Sequence, residues 1–336
     1  MMIPTINQNS IVGCQNSPSP TDIHFPLGPF TKHPYNPILT PDPSHEWESA
    51  YIYNATAIVI DQKIYLFYRA QNFQKISSIG IAWSTDGFNF ERFPKPVIFP
   101  TEPYELAGGC EDPRIVRDEK TKRFIMTYTA YDGHIARLCV ASSMDLFNWK
   151  KYPPLFMNSP EGNPLWSKSG AIFTDLRQED GKYYMVWGDQ KLYLAISDDL
   201  IHWELPFPDT RLDDNIFANR VFPHESRLIE SGPAPIKLSN GMYIFIYNCS
   251  TWGTDELEEG SYSISQMLID YNNITNGPVT RLEKPMIIPE TEDEKNGLVN
   301  NVVFCEGIVL FNGTWFLYYG QADSVLGVAI APLSQS

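Results

Sequence analysis

An aromatic segment that recurs at a near-constant interval restricts more than any other feature how this chain can fold. Five such segments align without gaps: KIYLFY ending at Tyr68, RFIMTY at Tyr128, KYYMVW at Trp187, MYIFIY at Tyr247 and TWFLYY at Tyr319. Successive end residues are 60, 59, 60 and 72 positions apart. Turn dipeptides before some of them, such as Asn312–Gly313, are typical of β-hairpins. The pattern indicates five copies of one structural unit.

Each copy adds an apolar strand before the aromatic segment and a strand with small residues after it. The first three copies continue into a turn and a further aromatic, as in STDGFNF and SDDLIHW. Four short strands repeated radially predict an all-β fold, a five-bladed β-propeller. A β-sandwich, the alternative, does not explain the constant period. We assign residues 47–336 to the propeller and residues 1–46, which are rich in Pro, Asn and Ser, to an N-terminal extended arm.

Composition excludes several classes of partner. The formal net charge of -15 disfavours nucleic acid and anionic membranes. No apolar stretch is long enough to span a bilayer, and the start MMIPTINQNS lacks the features of a secretory signal. We therefore expect a soluble, cytoplasmic protein. Five scattered cysteines without a CxxC pair indicate neither a disulfide framework nor a zinc site, and we expect no metal and no cofactor.

Polar residues precede or follow the inner strands, where a propeller opens into its central channel. The segment GGCEDPRI places Glu111 and Asp112 after a Gly-Gly turn and beside Arg114, with Pro113 fixing the backbone. Corresponding positions in the other blades, and two residues after second strands, are predicted to share this mouth: Asn54, Lys168, Glu230, Glu306, Arg69 and Asp323. So many acids repel one another, which favours a functional site over a set of surface turns.

Carboxylates facing each other across a pocket are the groups that cleave glycosidic bonds, one as acid and one activating water. Aromatic residues near the mouth can stack on sugars, and we name Tyr53, Trp166, Trp187 and Tyr319 for this role. For Tyr68, Tyr128 and Tyr247 packing between blades is the better interpretation. A metal hydrolase fits less well because no histidine falls at the mouth. No GxSxG segment indicates a serine nucleophile.

The chain resembles glycoside hydrolase family 130, the β-mannoside phosphorylases and β-mannosidases. The stretches that carry the resemblance occur in family order from Tyr53 onward, and they include YNATAIV, YRAQ, GGCEDPRIV, SKSGAI, ESGPAPI, NNVVFCEG and YYGQADS. They cover nearly everything after Trp47, whereas the N-terminal arm has no counterpart. The resemblance implies the five-bladed propeller that the repeat predicts, together with a small manno-oligosaccharide as substrate.

The resemblance also implies roles for individual residues. Asp112 falls at the family's general acid, which acts through a hydroxyl of the bound mannose. Asn54, Arg69, Arg114, Lys168 and Asp323 resemble the mannose-binding set. We add Glu111 and Tyr319 to the predicted substrate-binding residues. The related arabinanase-like propellers carry a catalytic aspartate on the first blade, where this chain has Asn54, which counts against that alternative.

Three functions stay open from the sequence. We favour an exo-acting, inverting β-mannosidase, which the resemblance implies to be β-1,2-specific, because Glu230 and Glu306 look like the glutamates that activate water in the hydrolases of the family. The stretch MVWGDQ also lacks the His-Arg pair of the phosphorylase pattern. The alternative is a phosphorylase that produces mannose 1-phosphate, with Arg137 and Lys168 as phosphate ligands. A non-catalytic sugar-binding propeller is the third. The sequence leaves the oligomeric state open, including a homo-oligomer.

Overall fold

The computed structural model describes residues 3–13, 23–157 and 165–333 of the protein. Strands dominate it, and they follow the predicted repeat. In chain order their bounds are β1 Thr31–Lys32, β2 Tyr51–Ile60, β3 Lys63–Gln71, β4 Ser77–Ser84, β5 Glu91–Arg92, β6 Gly109–Arg117, β7 Phe124–Tyr131, β8 Ala136–Ser143, β9 Trp149–Lys151, β10 Ala171–Ile172, β11 Tyr183–Trp187, β12 Leu192–Ser197, β13 Ile216–Ala218, β14 Leu228–Ser231, β15 Ile236–Lys237, β16 Met242–Ser250, β17 Tyr262–Asp270, β18 Thr280–Arg281, β19 Val303–Phe311, β20 Thr314–Gln321 and β21 Val325–Pro332.

Helical segments are short in the described part of the chain. One α-helix, Glu292–Lys295, accompanies 3₁₀ turns at Glu46–Glu48, Pro103–Glu105, Leu212–Asn215, Pro223–Glu225 and Tyr271–Asn276. Four of these six segments lead toward the first strand of a blade. Among the described residues, no helix has the length and apolar character needed to cross a membrane.

The strands form the predicted all-β, five-bladed propeller. Strands β2 through β5 form the first blade, β6 through β9 the second, β10 through β13 the third, β14 through β18 the fourth and β19 through β21 the fifth. Within each blade, neighbouring strands pair antiparallel. Five buried apolar clusters each lie between two neighbouring blades, including one between the fifth and the first, so the blades close into a ring. Because each blade packs on two others, both faces of its strands are buried. This explains why the aromatic segments are continuously apolar instead of alternating.

The fifth blade takes its outermost strand from the beginning of the chain. Strand β1 pairs antiparallel with β21, with Thr31 opposite Ile330 and Lys32 opposite Ala329. Closure by pairing the two ends of the chain removes the exposed edge that a three-stranded blade would leave. The division into an arm of residues 1–46 and a propeller of residues 47–336 stays a prediction, but part of the predicted arm is paired with the last blade.

The first strand of the fourth blade differs from its predicted form. The repeat predicts one apolar strand here, APIKL from Ala234, whereas the structure has two pieces, β14 and β15, that both pair with β16. Pro233 and Pro235 lie between the pieces and have no N–H to donate to a ladder, which explains the interruption. Glu230 therefore lies within β14, not ahead of a strand, and its backbone is in regular register opposite Asn248.

Candidate active site

Breaks in strand register turn the central polar side chains out of their ladders. In β2 the register shifts at Asn54, in β6 across Asp112 and Pro113, and in β19 at Glu306. Asn54 and Asp112 both have positive φ, 48° and 50°. A bulge residue leaves the ladder and its side chain is redirected. Three inner strands use this device at the same end of the propeller, and it brings their polar groups to one place.

Close packing at the Gly-Gly turn before Asp112 explains the glycines there. Gly109 has φ of 111°, and a Cβ at this position would lie 2.1 Å from the carbonyl oxygen of Ser77. Gly109 also forms the parallel bridge to Ser77 that joins the first two blades. Only glycine allows this approach, so the turn fixes the second blade against the first and sets the position of the following acids.

Asp112 lies at the centre of the cluster, and each of its two carboxylate oxygens has a cation nearby. Oδ1 accepts hydrogen bonds from Asn54 Nδ2 at 2.9 Å and from Arg69 at 3.0 Å. Oδ2 lies 3.8 Å from Lys168 Nζ. Two other blades therefore supply the groups around this one buried carboxylate.

Glu111 shares the same arginine. The second terminal nitrogen of Arg69 donates to Glu111 Oε1 at 2.6 Å, and Ser77 Oγ donates to that oxygen at 3.3 Å. Arg69 Nε donates to Ser77 Oγ at 3.0 Å, and the guanidinium lies 4.7 Å from the centre of the Tyr53 ring. The arginine is thereby fixed on three sides, and it holds two adjacent carboxylates in one orientation.

Lys168 connects Asp112 to the fourth blade. Its Nζ lies 3.1 Å from Glu230 Oε1, and Ser169 Oγ donates a hydrogen bond to the same carboxylate oxygen. Ser169 has φ of 60°, so the segment before β10 is another place where the backbone leaves the ordinary strand conformation. The contacts make Lys168 the common cation of an aspartate and a glutamate from different blades.

Glu306 is the least satisfied acid of the cluster. It is fully buried, and Arg114 approaches its Oε1 at 3.2 Å. Neither carboxylate oxygen accepts a hydrogen bond from a described residue. Arg114 instead donates to the backbone carbonyls of Ser231, Gly232 and Asp112 at 2.6, 2.9 and 3.1 Å. Its guanidinium is used to hold backbone, and the ionic contact with Glu306 is only one of its interactions.

The pKa values of the neighbouring acids Glu111 and Asp112 are shifted in opposite directions. Burial raises the pKa of both carboxyls, but for Asp112 the charges of Arg69 and Lys168 and the Asn54 hydrogen bond outweigh it and hold the pKa well below its usual range. For Glu111 burial and the adjacent Asp112 charge prevail over Arg69 and raise the pKa. Asp112 is therefore ionised at neutral pH and is the stronger acid of the pair, whereas Glu111 is shifted toward the protonated form.

The pKa values of the other mouth acids are raised. Burial raises the pKa of Glu230, and it raises the pKa of Glu306 well above the usual range. Burial, together with the charges of Asp112 and Glu230, raises the pKa of Asp323 to about 7 despite the opposing charge of Arg69. A carboxyl that titrates near neutral pH in a buried cluster is suited to acid–base chemistry.

The structure brings most of the predicted site residues together, including Tyr53, whose ring contacts the Arg69 guanidinium, but it does not bring Tyr319 and Trp187 to them. Asn54, Arg69, Glu111, Asp112, Arg114, Lys168, Glu230 and Glu306 are linked by the contacts above, and Asp323 lies within electrostatic reach of Asp112. Tyr319 is not brought to this cluster. It is fully buried, and its hydroxyl donates to Glu294 at 2.9 Å and accepts from Asn36 at 3.1 Å. Trp187 is buried against Phe156, with ring centres 4.6 Å apart.

Three further residues belong to this neighbourhood and were not named from the sequence. Ser169 bonds to Glu230, Asp189 acts electrostatically on both Lys168 and Glu230, and Tyr262 is influenced by Glu230, Lys168 and Asp323. Burial and the Glu230 charge raise the pKa of Tyr262 to about 12. Ser169 and Asp189 lie next to motifs that were identified, in SKSGAI and MVWGDQ. Tyr262 begins a third strand, where the repeat gives no signal.

A separate group of side chains has the spacing of metal ligands. Asp42, His45 and Glu48 each place a ligand atom within 4.8 Å of the others. Glu48 already accepts from Tyr68 at 2.8 Å and from Arg92 at 3.3 Å, and His45 Nδ1 lies 2.7 Å from its other oxygen. A cation here would compete with the arginine, so these residues fit an internal ion pair better than a metal site.

Known proteins resemble this chain over nearly its whole length. Residues 29–335 match the family model Glyco_hydro_130, described as β-1,4-mannooligosaccharide phosphorylase. Two proteins of Thermoanaerobacter sp. (strain X514) are similar. A β-1,2-mannobiose phosphorylase is 34% identical over 90% of this chain and 96% of its own length, and a 1,2-β-oligomannan phosphorylase is 31% identical over 88% and 94%.

Solved structures agree in fold. A glycosyl hydrolase from Bacteroides ovatus is 34% identical, with a TM-score of 0.81 over 91% of this chain and 94% of that one. Another structure is reported with the finding that the family-130 mannoside phosphorylases contain glycoside hydrolases that target β-1,2-mannosidic linkages in Candida mannan. It is 32% identical, with a TM-score of 0.82 over 94% of this chain and 97% of that one. The chain therefore belongs to glycoside hydrolase family 130 and acts on β-mannosides.

Proposed function

We propose that the protein removes terminal mannose from β-1,2-linked manno-oligosaccharides, with inversion and with Asp112 as the acid. The observation that carries the proposal is the position of Asp112, where Asn54, Arg69 and Lys168 from two other blades converge on one buried carboxylate. The β-1,2 linkage is supported by the names of both Thermoanaerobacter relatives. A non-catalytic sugar-binding protein would not need these acids in one cluster.

The proton for the leaving oxygen has to be supplied to Asp112, since this carboxyl is ionised in the ligand-free site. Asp323, whose pKa is raised to about 7, is a neighbour that titrates near neutral pH, and Glu111, on the same arginine, has a pKa raised above its usual value. A bound mannose contributes hydroxyl groups to the same place, and one of them can carry the proton from Asp112 to the glycosidic oxygen. The rest of the cluster then orients the sugar ring.

Phosphate as the attacking group is supported by the two similar phosphorylases. These relatives favour phosphorolysis, the alternative in the sequence analysis, over the hydrolysis that we expected from it. The predicted phosphate ligands differ in their availability. Lys168 lies in the cluster, whereas Arg137 donates to Asp132 at 2.7 Å. An incoming phosphate would have to compete with Glu230 for Lys168.

Hydrolysis is the second candidate, and a specific observation favours it. Glu230 and Glu306 are buried beside the central acid, and Glu306 accepts no hydrogen bond from a described residue. Unfilled acceptor capacity in a buried carboxylate suits a bound water, which the second glutamate can help to deprotonate. The similar structure reported with hydrolases of β-1,2-mannosides supports this acceptor.

Proton NMR of the first-formed product separates the two acceptors. The protein is incubated with β-1,2-mannobiose in buffer with and without phosphate, and β-1,3- and β-1,4-mannobiose are tested in parallel. α-Mannose 1-phosphate formed only with phosphate identifies phosphorolysis, and free α-mannose in both buffers identifies hydrolysis. A β-anomer as the first product would contradict inversion. No turnover of any mannobiose would contradict the enzymatic proposal as a whole.

A further inference from the structure

An exposed tryptophan stands at the mouth side of the third blade. Trp166 keeps 48% of its surface exposed, although Ser167 and Ser169, which follow it, are buried. The backbone at this point is fixed, because the Ser167 N–H donates to the Ala136 carbonyl at 3.0 Å. A large apolar ring held in solvent on a fixed backbone costs free energy, and it is informative when it adjoins a polar site.

A hydrogen bond that the indole donates to the loop between β11 and β12 fixes the orientation of the ring. Trp166 Nε1 donates to Asp189 Oδ2 at 3.0 Å. The Gly188 N–H donates to the Lys168 carbonyl at 3.0 Å and ties this loop to the segment that carries Trp166. The Tyr131 ring meets the indole edge-on, with centres 6.5 Å apart and planes at 72°. The indole is thus held from two sides and still presents surface to solvent.

The pair is continuous with the active site. Lys168, two residues after Trp166, places its Nζ 3.1 Å from Glu230 and 3.8 Å from Asp112. Burial, and after it the charge of Asp189, raises the pKa of Glu230. Asp189 is therefore close enough for its carboxylate to act on the cluster, while its bonded indole lies farther out.

We infer that Trp166 and Asp189 form the binding position for the sugar on the leaving-group side of the scissile bond. This inference rests on the proposed β-mannoside cleavage. The flat indole matches the C–H face of a pyranose ring, and a carboxylate accepts sugar hydroxyl groups. The position would bind the second mannose unit of the substrate, whereas the terminal mannose lies among Asn54, Arg69 and Asp112.

Two substrates with different leaving groups test the assignment. β-1,2-Mannobiose has a sugar on the leaving side, and β-mannosyl fluoride has none. In buffer with phosphate, Trp166→Ala should lower kcat/KM for mannobiose about tenfold and leave kcat/KM for the fluoride within about twofold of the wild-type value. Trp166→Phe, which keeps an aromatic face, should recover most of the loss. Phe207→Ala removes another half-exposed aromatic from the third blade and should change neither substrate.

Equal losses on both substrates would overturn the inference, because they indicate a role in the terminal-mannose site or in folding. Unchanged kcat/KM for mannobiose in Trp166→Ala would overturn it as well. In both cases the wild-type protein is active, so the proposed function stands. A wild-type protein that cleaves neither substrate would instead overturn the proposed function together with this inference.

Discussion

Two sets of buried carboxylates coexist in this propeller, and they differ in how many hydrogen bonds they accept. Among the residues that the structure describes, inter-blade glutamates occur in four of the five blades. Each accepts a hydrogen bond from the tyrosine that ends the aromatic segment and contacts a cation from the outermost strand. The sets are Glu48 with Tyr68 and Arg92, Glu105 with Tyr128 and Lys151, Glu225 with Tyr247 and Arg281, and Glu294 with Tyr319 and Lys32.

Glu105 shows how completely such a group is satisfied. It accepts hydrogen bonds from the Tyr128 hydroxyl at 2.9 Å, from the N–H groups of Thr101 and Glu102 at 2.8 and 3.0 Å, and from Lys151 at 2.6 Å. Burial raises its pKa, but these donors outweigh burial and the pKa is lowered. The ionised form is stabilised, and the carboxylate acts as a structural anchor between blades.

The mouth carboxylates Glu230, Glu306 and Asp323 are buried or half-buried with fewer donors, and the pKa of each is raised. The same fold that supplies four donors to Glu105 supplies no hydrogen bond to Glu306 from its described residues. The difference therefore marks a site whose unfilled acceptors await substrate or an attacking group. Only the third blade lacks the inter-blade set among the described residues, since Trp187 replaces the tyrosine and donates to the Leu194 carbonyl.

The largest expected effect is a loss of turnover when the central acid of the mouth cluster is replaced. Asp112→Asn keeps the shape of the side chain but cannot transfer a proton, so kcat for β-1,2-mannobiose should fall by at least about 10²–10⁴-fold. Asp199→Asn, in an exposed turn of the third blade, is the matched control and should leave kcat unchanged. Near-normal turnover by a folded Asp112→Asn protein would exclude Asp112 as the acid.

The next effect falls on stability between the blades. Glu105→Gln leaves the charge of Lys151 without its buried partner, so the free energy of unfolding in urea should fall by about 3 kcal/mol. The turnover of the folded variant should match the wild type, because Glu105 has no contact with the mouth cluster among its described partners. Loss of turnover at unchanged stability would erase the distinction between the two sets.

The smallest expected effect is on the free energy of unfolding, when one of two tyrosine hydroxyls is removed. Tyr128→Phe removes a donor from a buried carboxylate and should cost about 1 kcal/mol of unfolding free energy. Tyr262→Phe, at the mouth, should change stability by less than about 0.5 kcal/mol. Urea unfolding of both variants is the measurement. A larger loss for Tyr262→Phe would mean that this hydroxyl is structural after all.

The repeat predicted the propeller because a strict interval in aromatic strands has few structural explanations. It also predicted the polar mouth, since equivalent positions of a radial repeat meet at one end of the channel. Tyr319 shows the limit of this argument. It occupies the same repeat position as Tyr68 and Tyr128, which we assigned to packing, and its bond to Glu294 has the same form as theirs. Consistent use of the repeat would have assigned it to the inter-blade set.

Other features depend on contacts between distant segments and have no local sequence signal. Lys32 becomes the cation of the fifth blade only because β1 pairs with β21, where the paired residues Thr31 and Ile330 are 299 positions apart in the chain. The pKa of Asp323 depends on charges from all four other blades. Such properties follow from the closed ring, and they can be stated only after its geometry is known.

Thermal unfolding of Asp323→Asn and wild type between pH 4 and pH 9 tests whether the mouth carboxylates are kept at a cost to stability. The pKa of Asp323 is raised from 3.8 to about 7 on folding. As pH rises through this window the unfolded chain releases a proton that the folded protein keeps, so wild-type stability falls. Asparagine has no proton to release. The Tm of the variant relative to wild type should therefore rise with pH across the window and level off above pH 7. A variant that loses Tm relative to wild type as pH rises would contradict the claim.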